Sequence, residues 1–237
     1  MSVIPDDTKR IVIAGKTGSG KTVEACWQLS QRSFDERPWV AIDFKGRDLL
    51  ARLPVNRIVT VGESPPNEPG LYYLKASWED AEPRGAMERY LFRCLQQGRI
   101  GLLIDEGQRF GQNNRGLKAV LCEGRSAEVP VIFLTQRPMR VDTFAFSEAE
   151  YLQIFNLNHP DDHERIAEWV PSDRLDMHEL RAAGRFHSYF YDTETDELEL
   201  LGPCPPFEEI YTRILVRLPR FEDDPRDAHL PERRERV

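Results

Sequence analysis

A short run of β-branched residues passes directly into a glycine-rich segment, and this junction constrains the fold more than any other feature of the chain. The segment matches the pattern G-x-x-x-x-G-K-[ST], and its residues are Gly15, Lys16, Thr17, Gly18, Ser19, Gly20, Lys21 and Thr22. Glycines allow consecutive backbone N–H groups to point inward at an anion. A helix beginning near Lys21 adds the positive end of its dipole. The junction predicts a phosphate-binding loop between a strand over 11–14 and a helix.

The loop also predicts which ligand it holds. Lys21 is expected to reach the β- and γ-phosphates of a nucleoside triphosphate, and the Thr22 hydroxyl is expected to ligate Mg²⁺. The alternative is an ordinary surface turn of the same composition. Because the pattern is complete and lies between a predicted strand and a predicted helix, we expect ATP with Mg²⁺ as the ligand, although no residue pattern separates ATP from GTP.

A second landmark is an apolar run that ends in two acids. Residues 100–104 lead into Asp105 and Glu106, which is typical of a buried parallel strand that ends at a metal-binding acid. Asp105 is expected to hold Mg²⁺ together with Thr22, and Glu106 to polarise the attacking water as a general base. The acids alone would also fit a solvated strand end. With the phosphate loop upstream, they favour a hydrolase over a metabolite kinase.

Two other predicted strands end in polar residues. The strand over 131–135 ends at Gln136, which is placed to contact the γ-phosphate or its water. The strand over 39–44 runs into Asp43-Phe44-Lys45-Gly46-Arg47-Asp48, which we interpret either as part of a ligand-binding edge or as a solvated loop in which Asp48 caps a helix. Residues 107–116 are predicted to lack regular structure because they are rich in glycine and asparagine. Aromatic residues in the hairpin predicted over 186–201 are expected to cover the core.

Composition narrows the class of protein. The chain has 32 basic and 40 acidic residues, a net charge of −8, which disfavours a surface covered in nucleic-acid-binding groups but leaves room for local basic loops. Its four cysteines are scattered without C-x-x-C spacing, so we expect reduced thiols and no zinc site. No apolar run approaches the roughly 18 residues of a membrane span, and we expect a cytoplasmic protein with no transmembrane segment.

The segment from Arg125 to Pro138 resembles the corresponding stretch of the FtsK/HerA superfamily of DNA-pumping ATPases. There an arginine follows the Walker B strand, and the next strand leads into Thr-Gln-Arg-Pro, here Thr135 to Pro138. Residues 42–46 also resemble the Asp-x-Lys-Gly segment of that superfamily. The resemblance spans residues 11–157, with its landmarks in the same order.

The resemblance implies a ring ATPase, hexameric, that binds double-stranded DNA without sequence preference and has its sites at subunit boundaries. Arg125 matches the arginine that acts on the neighbouring subunit's site, although it would also fit a structural cap of the preceding helix. Arg109 and Arg115 are weaker candidates. Gln136 matches the sensor position. Because long membrane and DNA-reading domains are lacking, the chain is most similar to the compact members that package genomes of tailless icosahedral viruses with an internal membrane.

From this we expect an α/β fold: a P-loop NTPase with a mostly parallel sheet flanked by helices, RecA/FtsK-HerA-like, and a C-terminal β-hairpin. The expected divisions are an N-terminal arm over 1–9, the ATPase domain over 10–205 and a C-terminal extension or tail over 206–237. For a viral packaging enzyme, the expected location is the host cytoplasm or the packaging vertex of the virion, beside capsid vertex or portal proteins.

Three alternatives remain open at the level of the sequence. Residues 103–108 also resemble the assembly ATPases of filamentous phages, which export DNA through a membrane. A cellular HerA-like, repair or conjugative translocase is similar in kind. A non-motor P-loop kinase or switch would require neither Glu106 as a base nor Arg125 acting on a neighbour.

Overall fold

The computed structural model describes residues 6–46, 49–171 and 174–220. The strands of this part form one sheet, with bounds β1 Ile11–Ala14, β2 Pro38–Asp43, β3 Arg57–Val59, β4 Gly70–Lys75, β5 Gly101–Ile104, β6 Val131–Thr135, β7 Tyr151–Ile154, β8 Ser188–Asp192 and β9 Glu197–Leu201. The α-helices are α1 Lys21–Ser30, α2 Trp78–Ala81, α3 Ala86–Gln97, α4 Arg115–Glu123, α5 Phe144–Ser147, α6 Pro160–Ala167, α7 Met177–Ala183 and α8 Phe207–Arg217. In this part of the chain, no helix is both long and apolar enough to cross a lipid bilayer.

The strand order across the sheet is β3-β4-β2-β5-β6-β1-β7-β8-β9. All pairs from β3 to β7 are parallel, whereas β8 and β9 form an antiparallel hairpin that continues the sheet beyond β7. The predicted α/β fold with a mostly parallel sheet and a C-terminal hairpin is therefore confirmed. Since β6 lies between β1 and β5, the residue that follows β6 lies between the glycine-rich loop and the Asp-Glu pair.

The sheet is buried on both faces, and β1 shows how its sequence produces this. Successive side chains of a strand point to opposite faces. Ile11 and Ile13 pack in the apolar cluster that includes α1 and α8, whereas Val12 and Ala14 pack in the cluster that includes α3 and α4. A sheet that is flanked by helices on both sides therefore requires strands that are apolar at every position, as β1 is.

The segment over 107–116 is more regular than the sequence predicted. Residues Gly107–Phe110 form a turn of 3-10 helix, and α4 begins at Arg115. Phe110 is buried and meets Phe44 edge to face with ring centroids 5.4 Å apart. The Asn114 side chain accepts a hydrogen bond of 2.9 Å from the backbone N–H of Leu117 and so caps α4. Asn114 therefore caps the start of a helix, and the prediction that residues 107–116 lack regular structure was wrong.

The sequence did not predict helix α8, which begins just after the expected boundary at 205. Ile210 and Ile214 are completely buried in the cluster that contains α1, so this part of the C-terminal extension packs against the domain that carries the glycine-rich loop. The division into arm, domain and extension stays a prediction. The tail predicted from Phe221 onward lies outside the described residues.

Candidate active site

The glycine-rich loop leaves the carboxyl end of β1, in the interior of the parallel sheet. Gly18 and Gly20 have φ angles of 75° and 104°, which are accessible to glycine at no steric cost. Gly15 is needed for a different reason, since a Cβ atom there would lie 2.6 Å from the Cβ of Phe155. The N–H of Lys16 donates to the Asn156 carbonyl at 2.9 Å, which ties the loop to the segment after β7. The loop is therefore held in a fixed shape around the start of α1.

Lys21 and Thr22 form the first two residues of α1. Lys21 is 4% exposed, and its Nζ donates to the carbonyl of Lys16 at 3.4 Å across the loop. This arrangement directs an ammonium group and the N-terminal end of a helix at the space that the loop encloses. Both features attract a polyphosphate.

Asp105 lies at the end of β5 and is fully buried. Its Oδ1 accepts a hydrogen bond of 2.9 Å from the N–H of Glu106, while its Oδ2 accepts no hydrogen bond within the described part of the chain. Burial raises the pKa of this carboxyl to about 6, against the opposing effect of the Lys45 and Lys21 ammonium groups. A buried carboxylate oxygen without a hydrogen-bond donor is a suitable ligand for a cation.

Glu106 is the centre of a network that reaches the glycine-rich loop. The Nζ of Lys45 lies 2.5 Å from its Oε1, and the same oxygen accepts a hydrogen bond from Nε2 of Gln136. Gln108 donates to the other carboxylate oxygen. The hydroxyl of Thr17 donates to Oε1 of Gln136 at 2.5 Å. Gln136 thus bridges the loop and Glu106, as the position of β6 between β1 and β5 allows.

Lys45 and Gln108 belong to this network, although the sequence indicated Lys45 only as part of residues 43–48 and gave Gln108 no role. Lys45 follows β2, which pairs with β5, so the two strand ends meet at one edge. Asp43 has a structural part there, since it accepts bonds from Lys45 N–H at 2.7 Å and from the Tyr73 hydroxyl at 2.9 Å. Lys45 thus joins the site through Glu106, while the choice between a ligand-binding edge and a solvated loop stays a prediction. Asp48, the expected helix cap, lies outside the described residues.

The three arginines that were candidates for a catalytic role occupy different places. Arg125 is exposed just after α4 and before β6, at the opposite edge of the sheet from the glycine-rich loop. Arg109 follows β5, and its guanidinium carbon lies 3.9 Å from the Trp78 ring centroid. Arg115 is exposed at the first position of α4. The structure does not bring Arg125 to its own chain's loop, and its action on a neighbouring subunit stays a prediction.

The fold and these groups together define a P-loop ATPase: a phosphate loop lies between a central parallel strand and a helix, and an acid pair lies two strands away. No model of a protein family matches the chain. The DNA packaging ATPase P9 of Enterobacteria phage PRD1 is 32% identical over 218 residues, which cover 89% of this chain and 94% of that protein. The chain belongs to the family of this packaging ATPase.

Solved structures show the same fold at lower sequence identity. The genome packaging NTPase B204 from Sulfolobus turreted icosahedral virus 2, in complex with sulfate, has a TM-score of 0.69 at 13% identity, covering 85% of this chain and 99% of that one. VirB4 of Thermoanaerobacter pseudethanolicus has a TM-score of 0.62 at 11% identity, covering 87% and 94%. These similarities confirm the P-loop fold.

Proposed function

We propose that the chain is an ATP-hydrolysing motor that moves double-stranded DNA, without sequence preference, into a preformed viral capsid. One observation carries the proposal: a chain similar along nearly its whole length to a DNA packaging ATPase has its phosphate loop, Asp105 and Glu106 at one edge of the sheet. A kinase needs a second substrate at the phosphate and no base for water. The link from Glu106 through Gln136 to Thr17 instead favours activation of water.

The residues of the loop have distinct roles in this proposal. The backbone of Gly15, Lys16, Thr17, Gly18, Ser19 and Gly20 surrounds the phosphates, and Lys21 neutralises the charge on the β- and γ-phosphates. Mg²⁺ fits the donors present, because the Thr22 hydroxyl and the buried Asp105 Oδ2 without a hydrogen bond are oxygen ligands of the kind it prefers. When bound, the ion would neutralise charge that develops on the phosphates.

Glu106 would orient the attacking water and accept its proton. Its carboxylate is held by Lys45 and Gln136. A γ-phosphate that forms hydrogen bonds with Thr17 or Gln136 would therefore alter the contacts that hold Glu106. Gln136 would thereby act as the sensor of the γ-phosphate. Arg125 would serve the neighbouring subunit's site in a hexameric ring, which requires the opposite edge of one chain to approach the loop of the next.

DNA would pass through the ring and meet basic side chains on its inner face, so binding would be directed at phosphates and weakened by salt. The proposed location is the host cytoplasm or the packaging vertex of the virion, and the proposed partners are the capsid proteins of that vertex.

The test is steady-state ATP hydrolysis with and without double-stranded DNA, at low and moderate salt. We expect DNA to raise the rate and salt to diminish the rise. Glu106→Gln should lower kcat by about 10²- to 10⁴-fold while leaving ATP binding intact. The matched control is Glu194→Gln, whose side chain is 77% exposed in the hairpin turn, and it should hydrolyse ATP like the wild type. Full turnover by Glu106→Gln would indicate a kinase or switch and overturn the proposal.

A further inference from the structure

Among the cavities that adjoin the phosphate loop, two share one wall. The first, about 290 Å³, is lined by Gly18, Gly20, Lys21, Thr22, Val23, Leu49, Arg185 and Phe186. The second, about 210 Å³, is lined by Gly20, Val23, Glu24, Phe155, Phe186 and the segment from Pro203 to Phe207. Gly20, Val23 and Phe186 belong to both. The first cavity contains the lysine and hydroxyl expected to hold phosphates, and the second continues from it past Phe186.

Phe186 has an unusual backbone and an unusual position for an aromatic residue of the hairpin region. Its φ angle is 67°, which is a genuine outlier for a bulky side chain. Its ring packs on the loop itself, since a Cβ atom on Gly20 would lie 2.9 Å from Cδ1 of Phe186. It is 44% exposed, in contrast to Tyr189, Phe190 and Tyr191, which are buried as predicted. Strained residues that persist at a site are frequently part of its function.

The second cavity is chemically unlike the first. Apart from Glu24, its lining consists of glycine, valine, phenylalanine, proline and cysteine, and Glu24 is 97% buried and engaged by the side-chain amide of Gln28 at 3.0 Å. Burial also raises the pKa of the Glu24 carboxyl. A phosphate would gain no cationic partner among these lining residues. A flat aromatic ring would bury its faces against phenylalanine and proline.

We propose that this apolar cavity is the base subsite: the polyphosphate lies along Gly15 to Thr22, and the purine ring enters the second cavity and packs against Phe186. The inference rests on the proposed function, which supplies ATP as the ligand. Phe186 thus has a binding role that the sequence, which assigned this aromatic cluster to the core, did not indicate. Its strained backbone is the conformation that turns the ring toward the loop.

The experiment compares a ligand that has a base with one that lacks it. Equilibrium binding of Mg-ATP and of inorganic tripolyphosphate is measured by calorimetry on the wild type, Phe186→Ala, Phe186→Tyr and, as a matched control, Leu200→Ala. Leu200 lies on β9 of the hairpin that follows Phe186, is 38% exposed and lines neither cavity. Stacking of a base on an aromatic side chain corresponds to about 5- to 150-fold in affinity. Because Phe186 is half-exposed, we expect about tenfold weaker ATP binding in Phe186→Ala.

Tripolyphosphate affinity should change less than twofold in every variant, and Phe186→Tyr and Leu200→Ala should bind ATP like the wild type. An unchanged ATP affinity in Phe186→Ala would overturn the inference. So would an equal loss for ATP and tripolyphosphate, because the ring would then support the loop and not the base. These are binding measurements, so a failure of DNA to stimulate hydrolysis, which would count against the proposed motor, leaves them readable.

Discussion

In the metal-free protein, we expect the buried Asp105 carboxylate to lower the free energy of unfolding. Replacing Asp105 with asparagine should therefore make the protein more stable. Burial raises the pKa of its carboxyl from 3.8 to about 6, and each pKa unit corresponds to about 1.4 kcal/mol. The ionised form therefore costs the folded protein about 3 kcal/mol near pH 7. Asparagine has the shape of the protonated acid and keeps an oxygen for the N–H of Glu106. We expect Asp105→Asn to raise the midpoint of thermal unfolding by about 6–12 °C at pH 7–8.

The direction of the pKa shift of Asp105 determines how the predicted gain in stability depends on pH. The folded-state pKa of Asp105 lies above the unfolded value, so proton binding stabilises the fold fully below about pH 4, and this contribution is lost as the pH rises through about 6. The gain from Asp105→Asn should accordingly vanish at pH 4 and be complete above pH 7. Thermal unfolding in a chelating buffer without nucleotide, followed by circular dichroism at several pH values, measures it.

Asp162→Asn is the matched control, because Asp162 is equally buried but fully engaged. Its Oδ2 accepts a bond of 2.8 Å from Nε of Arg137, and its Oδ1 accepts one of 3.0 Å from the N–H of Met139. Loss of this charge should destabilise the protein by about 1–3 kcal/mol. A lower midpoint for Asp105→Asn at pH 8, or a gain that is the same at pH 4 and pH 8, would refute the reasoning.

Three further substitutions test other parts of the structure. Lys45→Met should lower kcat at least tenfold and leave ATP affinity nearly unchanged, because Lys45 holds the Glu106 carboxylate at 2.5 Å. A wild-type kcat for this variant in steady-state kinetics would contradict the prediction. Ile214→Ala should lower the free energy of unfolding by about 2–5 kcal/mol in denaturant unfolding, because the Ile214 side chain of α8 is completely buried. A loss under about 0.5 kcal/mol would show that the packing of α8 is dispensable. Gly107→Ala places a Cβ atom 2.0 Å from the Phe133 ring, so we expect a loss of about 1–3 kcal/mol in the same assay, and wild-type stability would disprove the close packing.

The sequence predicted the parts of the fold whose cause is local. The junction at the glycine-rich segment predicted the strand over 11–14 and a helix that begins at Lys21, as β1 and α1 have them. The phosphate loop was predictable because glycine and lysine at fixed offsets have few other uses. The apolar run before Asp105 predicted a strand buried on both faces. In each case the determining residues lie within one helix, strand or loop.

What the sequence could not predict depends on which strands become neighbours. The pairing of Lys45 with Glu106 requires β2 to lie beside β5, and the bridge from Thr17 through Gln136 requires β6 to lie between β5 and β1. Neither adjacency follows from local pattern. Helix α8, by contrast, has apolar Phe207, Ile210 and Ile214 at helical spacing, a local pattern from which it could have been predicted. The role of Gln108 was hidden by a segment that its composition predicted to be irregular.

The central claim is that ATP hydrolysis at this site moves the protein along double-stranded DNA. Displacement of a third strand from a DNA triplex measures that movement directly, with wild type, Glu106→Gln and Glu194→Gln compared at equal concentrations. We predict that the wild type and Glu194→Gln displace the third strand only with ATP and at modest salt, and that Glu106→Gln binds ATP without displacing it. Rapid ATP hydrolysis in the presence of DNA with no displacement by the wild type would contradict the account.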